Sequence, residues 1–232
     1  MKLQNQSSWQ TLIIEQDSKL SREGIIFTAS NIKDVEVLLE IGSIGAGNAT
    51  VALSNLLHEL IRVEVPKLHM APPHLVPKIY GKHDTSVAAV FMQLRDSANC
   101  DLMLVFELKE AKRIARLITN LAETDPSMEH SAIKELGSIM LCSFLSAIAN
   151  FASTEFLPGP PQLLFDDFDA IIDGLLVNQA LCSDKAAVFD ARFKSTRGSA
   201  DGCLIMFPSE ELQKMLMNRG KKMLEGDWTP ER

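Results

Sequence analysis

Residues 38–54 read LLEIGSIGAGNATVALS, with glycines at Gly42, Gly45 and Gly47 and an acidic residue, Glu40, just ahead of them. A stretch so rich in glycine is either a phosphate-cradling loop or a helix that holds glycine for some other reason, and the two lead to different folds. A dinucleotide-binding turn needs G-x-G-x-x-G directly after a strand, opening a helix. Here the spacing is reversed, G-x-x-G-x-G, and no strand-like run stands directly before it. A P-loop would continue with Lys-Ser/Thr, but Gly47 is followed by Asn48.

The helical reading fits better. Asn31 is a candidate N-cap, Asp34 and Glu36 lie in the first turns where carboxylates suit the helix dipole, and the pattern runs to about Leu60. At about 100° per residue, Leu38, Gly45, Ala49, Ala52 and Leu56 share one face, and Glu36, Glu40, Ser43, Gly47, Thr50 and Ser54 the other. Glycine inside a helix costs ~1 kcal/mol relative to alanine, so three in six residues need a compensating cause. Close packing against a sheet or a second helix supplies it for Gly42 and Gly45. Gly47 falls on the polar face, where close approach by another molecule is the more natural cause.

Beyond this helix, VEVPKL (63–68) is expected as a short strand interrupted by Pro66, and the chain through His69 and His74 as extended connection. SVAAVFMQL (86–94) and DLMLVF (101–106) read as a hairpin, and residues 107–122 as an amphipathic helix with Ile114, Leu117, Ile118 and Leu121 inside. Residues 123–130 read as a linker, with Ser127 or Ser131 to cap a second long helix.

From that cap onward the chain repeats its first half. ELGSIMLCSFLSAIANF (135–151) matches EIGSIGAGNATVALSNL (40–56) at an offset of 95 residues, which also separates Pro161 from Pro66. AAVF at 186–189 echoes AAVF at 88–91, and LIMFPSEELQKML (204–216) echoes LVFELKEAKRIARL (104–117). The order of the segments and their matching types imply an internal duplication, with an additional helix over Phe168–Leu176 in the second copy alone. Residues 1–30 form an N-terminal extension with two short apolar patches, and residues 219–232 a charged, frayed tail.

The net charge of −7 argues against general binding to nucleic acid or to an anionic membrane, both of which need a basic face. No apolar run approaches a spanning helix and the N-terminus lacks a signal-peptide core, so no membrane insertion is expected and the expected location is the cytoplasm. Cys100, Cys142, Cys182 and Cys203 are scattered and read as reduced thiols; the five histidines show no metal-ligand spacing. No cofactor of the chain's own is expected.

The duplicated polar features are chemical ones: Glu40 with Ser43, and Glu135 with Ser138, each pair three residues apart and therefore adjacent on a helix surface. An apolar stripe is kept by packing, whereas equivalent exposed polar pairs in two diverged copies point to use.

These residues resemble the CheC/CheX/FliY family of chemotaxis phosphatases, whose pattern is Asp/Ser-x-x-x-Glu-x-x-Asn, then 22 residues, then Pro. The first copy supplies Glu36, Glu40, Ser43 and Pro66, and the second Ser131, Glu135, Ser138 and Pro161. Two copies resemble CheC rather than the single-site CheX, and the likeness covers roughly 31–218, as repeats 31–122 and 127–218 of a CheC-like domain. It implies an α/β fold with pseudo-twofold symmetry, the antiparallel strands joined in one sheet with two long motif helices packed side by side on it. It also implies that the glutamates engage a lysine of a phosphorylated CheY-type response regulator, which supplies the Mg²⁺, and that the Asn amide orients the attacking water.

Both copies depart from the pattern by carrying Ser43 and Ser138 where the family has Asn, and the first also by carrying Glu36 where it has Asp or Ser. Two readings stay open on sequence: a phosphatase whose serines position water, or a binding relative without hydrolysis that docks the regulator, CheD or a flagellar-switch partner. The middle domain of the flagellar switch protein FliM, a related fold without the phosphatase site, illustrates the second.

Overall fold

The computed structural model describes residues 32–80, 85–95, 99–120, 125–182, 185–198 and 200–224. The two N-terminal apolar patches, the Asn31 cap and residues 225–232 lie outside the described residues.

In chain order the elements are α1 (Ile32–Leu57), β1 (Ile61–Val63), β2 (Lys67–Ala71), a 3₁₀ turn (Pro73–Leu75), α2 (Val76–Tyr80), β3 (Ser86–Leu94), β4 (Cys100–Glu107) and α3 (Leu108–Thr119). The second repeat continues as α4 (Pro126–Ala152), β5 (Gln162–Asp167), α5 (Phe168–Cys182), β6 (Ala186–Ser195), β7 (Asp201–Pro208) and α6 (Glu210–Leu224). The glycine-rich stretch is thus the middle of a 26-residue helix. The motif helices end alike: each passes into a left-handed residue, His58 (φ 52°) after α1 and Ser153 (φ 51°) after α4, again 95 positions apart.

Seven strands form one antiparallel sheet in the order β1-β6-β7-β4-β3-β5, with β2 also on β6. The hairpins β3–β4 and β6–β7 meet at the centre through β4 and β7, and each repeat's leading strand crosses over to the other's hairpin. Thus β2 pairs with β6 and β5 with β3, so the halves are interlocked. Leu68 lies opposite Phe189 and Leu163 opposite Val90, which makes Val90 and Phe189 equivalents at an offset of 99 residues. Carried through the hairpins, the offset is 102 in β4 and β7, and the pseudo-twofold axis passes between the paired Met103 and Ile205.

This register corrects one of the sequence matches. Ala88 and Val90 point to the face covered by α1, α3, α4 and α6, whereas Ala186 and Val188 point to the face covered by α2 and α5. Side chains alternate along a strand, so equivalent residues must differ by an odd offset here; the AAVF echo, at 98, is one residue out of step.

Several expectations are revised. The strand around Pro66 is two strands: Pro66 interrupts the ladder it cannot donate to, and β2 starts directly after it, as β5 does after Pro161. His69 belongs to β2 and His74 to the 3₁₀ turn rather than to extended connection. A helical crossover is not confined to the second repeat, since the 3₁₀ turn and α2 occupy the place of α5 in the first. The α4 cap is Asp125, whose carboxylate accepts from the Ser127 backbone N–H at 3.3 Å, and Pro126 is suited to the first helical position, so the helix starts earlier than a cap at Ser127 or Ser131 would place it. Leu117 is exposed at 47%, not inside, as Ile114 and Ala115 fill the buried side of α3. Residues 219–224, expected as frayed tail, complete α6. Finally, α1 and α4 are long and apolar enough to cross a membrane by length and composition, contrary to the reading of the sequence. About half of each such segment is buried within the fold, as in the core helices of globular proteins.

The seam between β2 and β6 holds a buried polar group. Asp190 of β6 is 5% exposed and meets His69 Nε2 of β2 at 2.9 Å. Tyr80, at the end of α2, stacks edge-on against Phe168 at 5.4 Å and has its hydroxyl beside Asp190 without a well-formed hydrogen bond. Burial first, and the Asp190 carboxylate second, hold the Tyr80 phenol well above its ordinary value. In the unfolded chain that phenol ionises near pH ~10. Above that pH the unfolded chain gains from ionisation while the buried phenol of the fold stays protonated, so stability falls as the pH climbs toward the raised folded value. Tyr80 is the chain's single tyrosine, so absorbance at tyrosinate wavelengths reads it alone. The expected titration shows no phenolate signal until well above pH ~10, appearing together with loss of circular dichroism; reversible ionisation of the folded protein at the ordinary phenol value would contradict this packing.

Candidate functional site

Both motif helices lie on the same side of the sheet and pack directly on each other. The glycines explain how closely. A Cβ on Gly42 would sit 2.0 Å from the Phe189 ring, one on Gly137 2.4 Å from Val90, and one on Gly45 2.7 Å from the Phe144 ring. Gly42 and Gly137 are equivalents, as are Phe189 and Val90, so the same helix-to-sheet contact occurs twice across the axis. Gly45 serves the contact between the two helices. Small residues here let backbone approach its neighbours closely, as the sequence suggested for Gly42 and Gly45.

The outer sides of α1 and α4 carry the predicted pairs. Glu40 and Glu135 are exposed, and Ser43 and Ser138, one turn further on, are half-buried. The pairs are not merged into one pocket: each stands on its own helix, and the two helices run adjacent on one surface of the molecule. Glu36 and Ser131, one turn before each glutamate, are exposed as well. The serine hydroxyls differ in their partners. Ser43 donates to the Leu39 carbonyl at 2.7 Å, so its proton is committed to the helix and its oxygen is left as an acceptor. Among the described residues no hydrogen bond engages the Ser138 hydroxyl. Ser131 donates to the Ser127 carbonyl at 2.8 Å.

The α1 face is rotated from the periodicity reading. Thr50 is buried, with its hydroxyl on the Ala46 carbonyl at 2.7 Å, while Ile44 and Val51 emerge 40% and 59% exposed. One side of α1 must serve both the sheet and α4, which turns the Ala46–Thr50 flank inward. Ile44 and Val51 were not legible as surface residues, because an isoleucine or valine in an apolar helix reads as core. Asn48 is exposed and its amide nitrogen donates to the Ile44 carbonyl at 2.8 Å.

The arrangement offers two carboxylates for cationic groups of a partner and two small hydroxyls beside them. It contains no nucleophile activated by a base. Cys100 and Cys203 are kept as thiols well above their ordinary range, chiefly by burial and then by Asp101 and Asp190 respectively, and both are remote from the motif faces on the central strands. Among the described residues no group of three or more His, Cys, Asp or Glu side chains is placed to hold a metal ion.

A single antiparallel sheet built from two interlocked repeats, with paired motif helices on one face, defines an α/β protein of the CheC/CheX/FliY fold. Thermotoga maritima FliY superposes with a TM-score of 0.63 over 83% of this chain and 98% of its own, at 19% identity. The FliM middle domain of H. pylori superposes at 0.56 over 82% of this chain and 99% of its own, at 8% identity. In sequence, the chain is 26% identical over 171 residues to the CheY-P phosphatase CheC of Bacillus subtilis (strain 168), covering 71% of this chain and 82% of that one. No protein-family model matches. In sequence this chain is similar to CheC-type chemotaxis proteins, and in fold to FliY.

Proposed function

We propose that this chain docks a phosphorylated CheY-type response regulator on the outer faces of α1 and α4. Glu40 and Glu135 engage the regulator's cationic groups, and Ser43 and Ser138 stand where an attacking water would be held. One observation carries this reading: equivalent Glu/Ser pairs, the glutamates exposed and the serines half-buried, on two helices related by the pseudo-twofold axis, in a chain similar to a CheY-P phosphatase. The chain's own part in hydrolysis would be to position and exclude, since phosphoryl transfer depends mainly on placement and charge stabilisation. The Mg²⁺ belongs to the regulator, and both partners meet in the cytoplasm.

Ser43 favours a second reading, docking without efficient hydrolysis. With its proton given to the Leu39 carbonyl, the hydroxyl can accept a hydrogen from a water but offers no donor of its own. An asparagine amide offers both in one plane and at longer reach. A chain of this kind acts by sequestering the phosphorylated regulator, or by presenting the same faces to CheD.

The test is phosphate release from an Mg²⁺-bound, phosphorylated CheY-type regulator with and without the full chain, together with its binding affinity. Glu40→Lys combined with Glu135→Lys is expected to weaken binding at least about tenfold, because each change replaces an attraction with a repulsion. Undiminished binding by that double variant would remove the docking assignment.

A further inference from the structure

Of the three glycines of α1, Gly42 and Gly45 are required by Phe189 and Phe144, whereas a Cβ added to Gly47 would meet nothing within 4 Å. Gly47 is not left-handed either; among the described glycines that conformation belongs to Gly198. The free protein therefore gains nothing from glycine at this position and bears its cost in helix propensity. The position is not a neutral one. Gly47 lies one turn beyond Ser43 and two beyond Glu40, and the exposed Ile44 and Val51 stand before and after it. Asn48, which could cover it, has its amide folded back on the Ile44 carbonyl. The result is a strip of bare helix backbone between two apolar side chains, opening beside Ser43.

The second copy lacks this strip. Cys142 occupies the place of Gly47 and Ser146 that of Val51, and Ser143 turns its hydroxyl to the Ile139 carbonyl at 2.7 Å. The duplication has kept the glutamate and serine in both helices but the bare backbone in one.

Resting on the docking proposed above, we infer that Gly47 is a specificity-determining residue for the phosphorylated regulator: it lets the regulator's backbone touch α1 directly, so that the first motif helix is the primary seat. The occupant is a surface with cationic groups for Glu36 and Glu40 and apolar groups for Ile44 and Val51. Glycine is the residue that admits such backbone approach.

The experiment measures binding of an Mg²⁺- and beryllofluoride-loaded CheY-type regulator to the full-length chain by calorimetry, with melting temperatures recorded in parallel. Gly47→Ala is expected to raise the melting temperature, as alanine is the better helix former, and yet weaken binding at least about tenfold. These are two changes of opposite sense that a structural role would not give. Gly174→Ala, in α5 on the other side of the sheet and equally open around its Cβ, is expected to raise the melting temperature and leave affinity unchanged. If Gly47→Ala binds as tightly as wild type while Glu40→Lys/Glu135→Lys does not bind, docking stands and the role of Gly47 falls. If wild type itself fails to bind, or the charge-reversed variant binds as well as wild type, both readings fall.

Discussion

Replacing Ser43 and Ser138 together by asparagine is expected to raise phosphate release from the regulator by ~10²-fold or more, the magnitude associated with one preorganised group at a reacting centre. The helix geometry accounts for the direction. Ser43 is half-buried and its hydroxyl is turned inward to the Leu39 carbonyl, so any water it holds lies close to the helix surface. Asparagine extends further, and its amide oxygen and nitrogen can fix a water from two directions. A displacement of about 1 Å in a reacting group can by itself cost ~10²-fold. The measurement is single-turnover decay of the phosphorylated regulator under saturating chain. Acceleration by the asparagine variant alone identifies the natural chain as a docking protein. Equal acceleration by the two would mean that the serines already position water fully, and acceleration by neither would point to a different regulator or to CheD-type binding.

Gly137→Ala is expected to destabilise the fold by about 3 kcal/mol, in the upper range for overpacking a closed core. Alanine would normally gain ~1 kcal/mol over glycine in a helix, so the sign itself is diagnostic. The new methyl would meet Cβ, Cγ1 and Cγ2 of Val90 at 2.4–2.5 Å. Val90 is fully buried on β3, in ladders with both β4 and β5, and a β-branched side chain has no rotamer that withdraws all three atoms. The helix must lift from the sheet, carrying the adjacent Ser138 with it. Urea unfolding of Gly137→Ala, Val90→Gly and the double variant tests the contact, since only glycine at position 90 removes the Cβ that lies nearest, at 2.4 Å. The two changes should couple by more than ~2 kcal/mol, as expected for residues that share one packing contact. Additive effects would mean that the helix is held off the sheet by something else.

Much of the fold could be read from the chain because the duplication gives each element a second witness. The long motif helices, the two hairpins and the order of the repeats emerge from periodicity and self-similarity. What could not be read depends on tertiary neighbours. The AAVF match misplaced a strand by one residue, since four similar small and apolar side chains carry no information about which face is covered. The burial of Thr50 and the exposure of Val51 result from α4 lying beside α1, which no local pattern encodes. Glu40, Ser43, Glu135 and Ser138 stood out because they are polar, spaced three apart and repeated. The open surroundings of Gly47 became visible only once Gly42 and Gly45 had been matched to the rings that need them.

The crossing of β2 to β6 and β5 to β3 means that half of this chain is not half a protein. A single repeat on its own would present a hairpin with an unfilled outer edge and a loose leading strand, complementary to each other only in a second molecule. Truncation at the midpoint is therefore expected to lead to mutual completion between two identical chains, not to a smaller monomer. In the intact chain the same linkage joins strands distant in sequence, which favours slow, all-or-none assembly. Both motif faces appear in that one event.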